Sequence, residues 1–421
     1  MFRLFQYRKV SRKQAQWGSS CSFSVMQSKE YPPYQENPLS HSSVHHSTES
    51  LSTNKSSTMV QIIQTSATLQ PQERDESKEM SNADATTLVD QLLDRTNTLM
   101  EGSNYHIIAY SGGVDSSLVA ALVYQNATHA TCKKRSSSSG DDHHTMTVKA
   151  VLGISPAVSQ EQVLIAEQVA AHIGIPLEQI PTTEGTDPTY IQNSGQACWA
   201  CKTHLYTCLR AIVHHSSLLP ITTTPSTTAT TKTTSNIKVK LYNGTNADDR
   251  MDETRVGLIA AQQFHVVSPL EFITKQQVRM AAKHLGLPNW NMAASPCLRS
   301  RLAIGVPAVS QHLKRIEQAE RYIRQCLQPL LRPSHNIRVR MLSKNRAMIE
   351  LDANLLQLED VSAWLEPWQT YLTQELGFAS VGVRPFQSGS VAMNGNELKS
   401  SPDPNKKGSN QEPSQVGLAA V

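Results

Sequence analysis

The sequence predicts an α/β protein: a parallel sheet covered by helices on both faces, followed by a smaller C-terminal α/β domain. Three observations predict it. Apolar, strand-like runs alternate with helical runs from Tyr105 to about Leu285, an alternation that builds parallel sheets. The first strand passes into its helix through the turn Ser111-Gly112-Gly113. Beyond Gly305 a shorter alternation of helix and strand patterns repeats the theme.

The 421 residues are enough for two or three domains. Apolar residues make up 39%, aromatic residues 5% and charged residues 18%, values depressed by long Ser/Thr-rich stretches. A net charge of +4 is too small and too dispersed to argue for nucleic acid. No apolar run reaches the roughly eighteen residues that a membrane span needs.

Met1 to Lys29 contains no acidic residue, while Arg3, Arg8, Lys9, Arg12, Lys13 and Lys29 are basic and Ser and Gln fill the gaps. This is transit-peptide composition and lacks the apolar core of a secretory signal, so the expected location is the mitochondrion or plastid, otherwise the cytoplasm. Residues 1–85 are expected to be a disordered extension; His41, His45 and His46 read as solvated.

The ordered part is expected from Thr86, where Leu88, Leu92, Leu93 and Leu99 recur at helical spacing. Tyr105 to Tyr110 reads as a buried strand, and Leu118 to Tyr124 as an apolar helix. Between them, two adjacent glycines let the backbone turn sharply, and the helix that follows points its free amides into the turn. Such a turn binds an anion, phosphate above all. It lacks GxxxxGK[ST], so it is not the loop of kinases and GTPases.

Thr131 to Thr147 is a low-complexity insertion, tolerable in a surface connection. Val148 to Ile154 is a second strand, Glu161 to Ile173 a helix closed by Gly174, and Leu177 to Ile180 a third strand. Cys198-Trp199-Ala200-Cys201 precedes a helix from about Thr203 to His214. Such a CxxC serves as a redox dithiol, half a zinc site, part of an iron–sulfur site, or simply two thiols. With no second pair recognisable, a complete zinc knuckle is not expected.

A second insertion, residues 220–235, is nearly pure Thr with Ser, Pro and Ala. Val239 to Tyr242 is a short strand that ends on Asn243-Gly244-Thr245-Asn246-Ala247-Asp248-Asp249. Ligands gather at the carboxyl ends of parallel strands, which gives this turn a ligand-facing reading, although Asp248 and Asp249 also suit helix capping. A helix carrying Val278, Ala281, Ala282 and Leu285 leads to Ser295-Pro296-Cys297-Leu298-Arg299-Ser300-Arg301. Two arginines within four residues of Cys297 would favour its thiolate. In the C-terminal part, Leu313, Ile316, Ala319 and Ile323 mark a helix, while Ile337 to Met341, Ala347 to Leu351 and Ser380 to Val383 mark strands.

SGGVDS between strand and helix resembles the signature of the PP-loop ATP pyrophosphatase superfamily, a doubly wound, Rossmann-like α/β/α sandwich of the adenine nucleotide alpha-hydrolase kind. SGGVDSS, NSGQACWACK, NGTNADD and SPLEFITKQQVRMAAKHLGLPNWNMAASPCLRSRLAIG, in that order, resemble the LarE family of ATP-dependent sulfur transferases, over about Thr86 to Ser390. The resemblance implies cleavage of ATP to AMP and pyrophosphate and adenylylation of a carboxylate of pyridinium-3,5-biscarboxylic acid mononucleotide. Sulfur insertion then follows, in biosynthesis of the nickel-pincer nucleotide. It assigns the nucleotide to Ser111, Gly112, Gly113, Asp115, Ser116, Gly244, Thr245, Asn246 and Asp248, with magnesium on Asp115. Cys297 becomes the sulfur-bearing residue, with Arg299 and Arg301 set to hold phosphates or stabilise the oxyanion.

Family members with the PCLxSR cysteine alone surrender its sulfur, whereas those that also carry CxxC are thought to hold an iron–sulfur cluster. Cys198, Cys201 and Cys297 would leave one iron of a [4Fe–4S] cluster free for sulfide, the version preferred here. Glu317, Glu320, Arg338, Arg340 and Glu350 are candidate contacts to substrate and metal. The family's terminal GYRxGS is reduced to Ser388-Gly389-Ser390, with Arg384 a stand-in for the missing arginine. The expected domains are residues 86–304 for the ATP pyrophosphatase unit and 305–392 for substrate, with a disordered tail over 393–421. The expected partner is a small nucleotide substrate, without membrane or nucleic acid, and a homo-oligomer is compatible with the sequence. The alternative is another PP-loop reaction, tRNA thiolation or amidation of the NAD or GMP synthase kind. The first calls for a basic RNA-binding face and the second needs no cysteines.

Overall fold

Six consecutive buried residues at Tyr105–Tyr110 (β1) form the centre of the larger sheet. The computed structural model describes residues 82–137, 146–218, 238–252, 254–358, 361 and 363–388. The expected transit segment, the Thr-rich insertion, the histidine cluster and the C-terminal tail lie outside them.

The strands β1, Thr147–Ile154 (β2), Leu177–Pro181 (β3) and Val239–Tyr242 (β4) are parallel, in the order β3-β2-β1-β4. The chain therefore winds outward from β1 to β3, then crosses to the other side of β1, which makes the sheet doubly wound. Val267 adds a short parallel bridge beyond β4, with its amide donating to Leu241 O at 2.8 Å.

The residues of β1 alternate between two cores. Ile108 and Tyr110 face a core shared with Asn82–Met100 (α1), Val114–Ser137 (α2), Gln160–Ile173 (α3) and Lys275–His284 (α8), the helix numbers following chain order. Ile107 and Ala109 face the other core, with Ala197–Leu218 (α5) and Gly257–Gln263 (α7). Leu118, Val119, Leu122 and Val123 of α2 are wholly buried, as are Val278, Ala281 and Ala282 of α8. Each of the Leu and Val side chains contributes roughly 1.5–3 kcal/mol of transfer free energy.

Three boundaries differ from those expected. The first helix starts at Asn82 rather than Thr86. The helix after the glycine turn runs on to Ser137, so the first residues of the expected insertion continue it. The CxxC lies in the first turns of α5 rather than ahead of it. In all three the helix is longer than its apolar pattern, because only the stretch facing the core needs apolar residues.

The smaller domain begins with Ser310–Leu327 (α9), whose Leu313, Ile316, Ala319 and Ile323 are buried. It packs on a three-stranded sheet of Ile337–Leu342 (β5), Arg346–Leu351 (β6) and Ser380–Pro385 (β7), in that order, with β5 antiparallel and β7 parallel to β6. Among the described residues no helix is long and apolar enough to cross a membrane.

Candidate functional site

A sheet in this order has its topological switch between β1 and β4, and ligands of open α/β sheets bind outside the carboxyl ends of the strands at that point. The loops leaving β1 and β4 are Ser111–Gly113 and Asn243–Asn246. They touch.

Gly112 has φ +72°, and a Cβ there would stand 2.7 Å from Ala166 of α3, so neither the conformation nor the space admits another residue. The Ser116 hydroxyl donates to Gly113 O at 3.1 Å, lies 3.1 Å from Ser111 Oγ and accepts the Ser111 amide at 3.2 Å, closing the loop on itself. Gly113 is exposed, its amide 3.4 Å from Ser111 Oγ. A Cβ on Gly244 would stand 2.7 Å from the Asp115 carbonyl carbon and the Ser116 amide, so that glycine serves a backbone-to-backbone approach at the start of α2.

Asp115 Oδ1 accepts from Asn246 Nδ2 at 2.8 Å, and Oδ2 is 3.8 Å from Lys275 Nζ. Asn246 is wholly buried and forms a capping box with Asp249 at the start of Ala247–Met251 (α6). Burial raises the Asp249 carboxyl above its ordinary value, opposed by Arg255 and assisted by the neighbouring Asp115. The Thr245 amide donates to Asn243 Oδ1 at 3.1 Å. Asp248 is exposed and accepts the Lys275 amide at 2.8 Å, where it serves the first turn of α8.

The second centre is built of sulfur. Cys198 and Cys201 on α5 and Cys297, from a segment about a hundred residues later, act electrostatically on one another. Cys297 is exposed and Cys198 and Cys201 are half-buried. Arg299 joins them: Nη2 donates to Cys198 Sγ at 2.6 Å, Nη1 donates to Asn193 Oδ1 at 3.0 Å, and the side chain also hydrogen-bonds Cys297. Burial pushes the Cys198 thiol up, opposed by Arg299. Burial, reinforced by Cys297, pushes Cys201 up to about 12. The Lys202 ammonium stays above its ordinary value despite burial, because Tyr206 and the thiols favour the charge.

Arg301 is 1% exposed and faces inward. It pairs with Glu320 through Nε at 2.9 Å and Nη2 at 3.3 Å, while Nη1 holds Pro296 O, Cys297 O and Ser300 Oγ. Burial would raise the Glu320 carboxyl, but Arg301 outweighs it and holds the group below its ordinary value. Arg338 donates to Ala294 O and Ile337 O, and burial, then Arg301, lowers it to about 10. Arg340 donates to Glu350 Oε2 at 2.8 Å and Ser300 O at 2.9 Å, and Arg384 donates to Glu350 Oε1 at 2.9 and 2.6 Å. Glu317 accepts the Gln160 amide at 2.7 Å at the start of α3. Of the five candidate substrate contacts, four are thus buried inside the smaller domain, holding each other and the backbone of the Cys297 segment.

Two residues of this architecture are absent from the sequence-based set. Asn193, buried and at φ +50°, donates to Ala303 O at 3.0 Å and Val306 O at 3.1 Å besides accepting from Arg299. Asn before Ser-Gly, in a left-handed turn, is the signal that could have found it. Asn289, 1% exposed, donates to Gly112 O and to Ser117 Oγ across the domain, a contact with no local signature.

The three thiols and two adjacent cations suit a sulfur-ligated, anionic group chemically. Among the described residues, however, no three His, Cys, Asp or Glu side chains stand as a ready metal-ligand group.

Fold and site together define a doubly wound α/β protein with a glycine loop at the switch point and a thiol centre reached from two distant segments. The chain belongs to the family of the uncharacterized protein slr1717 of Synechocystis sp. (strain ATCC 27184 / PCC 6803 / Kazusa). The two are 31% identical over 294 residues, 68% of this chain and 91% of the relative. No protein-family model matches the chain. Among solved structures, NMN synthetase from Francisella tularensis aligns with a TM-score of 0.33 and 18% identity, covering 52% of this chain and 76% of that one. The fold stated above rests on the chain's own strand order.

Proposed function

We propose that the protein is an ATP-dependent sulfur transferase. ATP binds with its phosphates against Ser111–Ser116, where Asp115 would hold a magnesium ion that offsets phosphate charge; a substrate carboxylate attacks the α-phosphorus, and pyrophosphate leaves. The resulting acyl adenylate is attacked at its carbonyl carbon by sulfur presented at Cys297, and AMP departs with the C–O bonding pair. Where Cys297 itself is the donor, its Cβ–S bond breaks and the α-proton is lost, leaving dehydroalanine. An iron–sulfur cluster would be held by Cys198, Cys201 and Cys297 and would supply sulfide instead. In either case Arg299 keeps Cys297 beside Cys198.

The observation that carries the reading is that Arg299 joins Cys198 and Cys297 across about a hundred residues, with Cys201 one turn from Cys198 and under the influence of both thiols. Two structural thiols would need no third from a distant loop. By resemblance to LarE the acceptor is pyridinium-3,5-biscarboxylic acid mononucleotide. Cys297→Ala tests the mechanism: adenylylation is expected to persist, seen as ATP–pyrophosphate exchange with that substrate, while thiocarboxylate formation stops. Undiminished thiocarboxylate from the variant would refute the role of Cys297.

A further inference from the structure

The segment Asn289–Arg301 spans the distance between the two centres, and its backbone is held by guanidinium groups along its whole length. Arg279 donates to Trp290 O at 2.9 Å and Met292 O at 2.8 Å; Arg338 holds Ala294 O; Arg301 holds Pro296 O and Cys297 O; Arg340 holds Ser300 O. Carbonyls satisfied by charged donors are shorter, stronger contacts than those satisfied by water, so this strap is rigid. Its C-terminal end presents Cys297. Its N-terminal end is Asn289, whose amide reaches across to the glycine loop.

Asn289 Nδ2 donates to Gly112 O at 2.8 Å and to Ser117 Oγ at 3.0 Å. Ser117 in turn lies 3.5 Å from Tyr110 OH, and that hydroxyl donates to Ala166 O at 3.2 Å. A trans peptide is planar, with its C=O and N–H on opposite sides. Fixing the Gly112 carbonyl therefore fixes the direction of the Gly113 N–H, which points away from Asn289. Gly113 is exposed, and its amide makes a long 3.4 Å approach to the Ser111 hydroxyl. Gly112, with no side chain and φ +72°, cannot hold that peptide plane by itself.

We infer that Asn289 is a positioning residue for the nucleotide: it locks the Gly112–Gly113 peptide so that the Gly113 amide faces a bound phosphate. Because it stands on the arginine-held strap, it also ties the loop to the segment bearing Cys297. The inference rests on the reading of Ser111–Ser116 as the ATP loop. An anion-facing amide accounts for roughly a tenfold gain in affinity or more, the size of one hydrogen bond to a charged group.

The test is isothermal titration of the full-length protein with ATP and, separately, inorganic pyrophosphate, both with magnesium chloride, alongside the thermal midpoint of each variant. Asn289→Ala is expected to weaken both ligands about tenfold or more, and Asn289→Thr, which keeps one donor, to fall between it and the wild type. Should the alanine variant not fold, the threonine variant carries the comparison. Unchanged affinities in a folded variant, whatever the thermal midpoint, would reduce Asn289 to packing and overturn the inference while leaving the ATP reading intact. A wild-type protein that binds neither ligand would overturn both.

Discussion

Glu350 is wholly buried and carries two arginines: Arg340 Nε at 2.8 Å, and Arg384 Nε and Nη2 at 2.9 and 2.6 Å. Arg340 is itself 5% exposed, so Glu350→Ala leaves a guanidinium in the interior with no countercharge on that side. Removing one partner of such a pair costs about 3–5 kcal/mol. Against the roughly 5–15 kcal/mol that holds a typical domain together, this is about a fifth of the total or more. Urea unfolding followed by circular dichroism should show a midpoint lowered in proportion, with the slope unchanged. Replacing Arg340 by Met and Glu350 by Leu together should recover part of the loss, because no buried charge is then left at position 340, while Arg384, 29% exposed, loses its carboxylate and the Ser300 carbonyl its donor. If Glu350→Ala shifts stability by less than about 1 kcal/mol, these residues are not the internal scaffold described above.

Three further outcomes are expected. Gly244→Ala places a methyl group 2.7 Å from the Ser116 amide, so the loop after β4 must move off the first turn of α2, and titration should show loss of ATP affinity. Arg299→Ala should leave ATP–pyrophosphate exchange in place while slowing thiocarboxylate formation, because its guanidinium touches Cys198 and Cys297 and no phosphate-loop residue. The His106 imidazole, wholly buried beneath Tyr242, is lowered from 6.5 to about 4 by burial and then by Lys240. Since the folded state prefers it neutral, its contribution is fully present above pH 6.5 and is lost as pH falls toward 4, by roughly 3 kcal/mol. Thermal midpoints of wild type and His106→Phe should diverge over that interval.

The fold was legible because its signals are local. The apolar run of β1, the 3.6-residue spacing of α8 and α9 and the glycines of the loop are each decided within a few residues of sequence. The two ends of the candidate site stand out in the sequence for the same reason: Gly112 sits in a glycine turn, where it has a positive φ, and the cysteines are chemically conspicuous. What the sequence concealed is where charged side chains point. Arg301, Arg338, Arg340, Glu320 and Glu350 read as candidates for phosphate or substrate, yet they turn inward and hold the carbonyls of the strap and one another. A guanidinium that faces a ligand and one that faces a backbone carbonyl have the same sequence; only the tertiary packing separates them. Asn289 escaped notice for that reason too, since its partners Gly112 and Ser117 lie more than 170 positions away.

In the proposed mechanism ATP cleavage at the glycine loop drives sulfur insertion from the thiol centre. Its most direct test is a single-turnover reaction of the full-length protein, as purified and after anaerobic reconstitution with iron and sulfide. Magnesium–ATP and pyridinium-3,5-biscarboxylic acid mononucleotide are supplied, and AMP, pyrophosphate and the substrate mass are followed together. One AMP and one pyrophosphate are expected for each oxygen replaced by sulfur, with Cys297→Ala forming no thiolated product. AMP and pyrophosphate released without any sulfur entering the substrate, under both conditions, would contradict it.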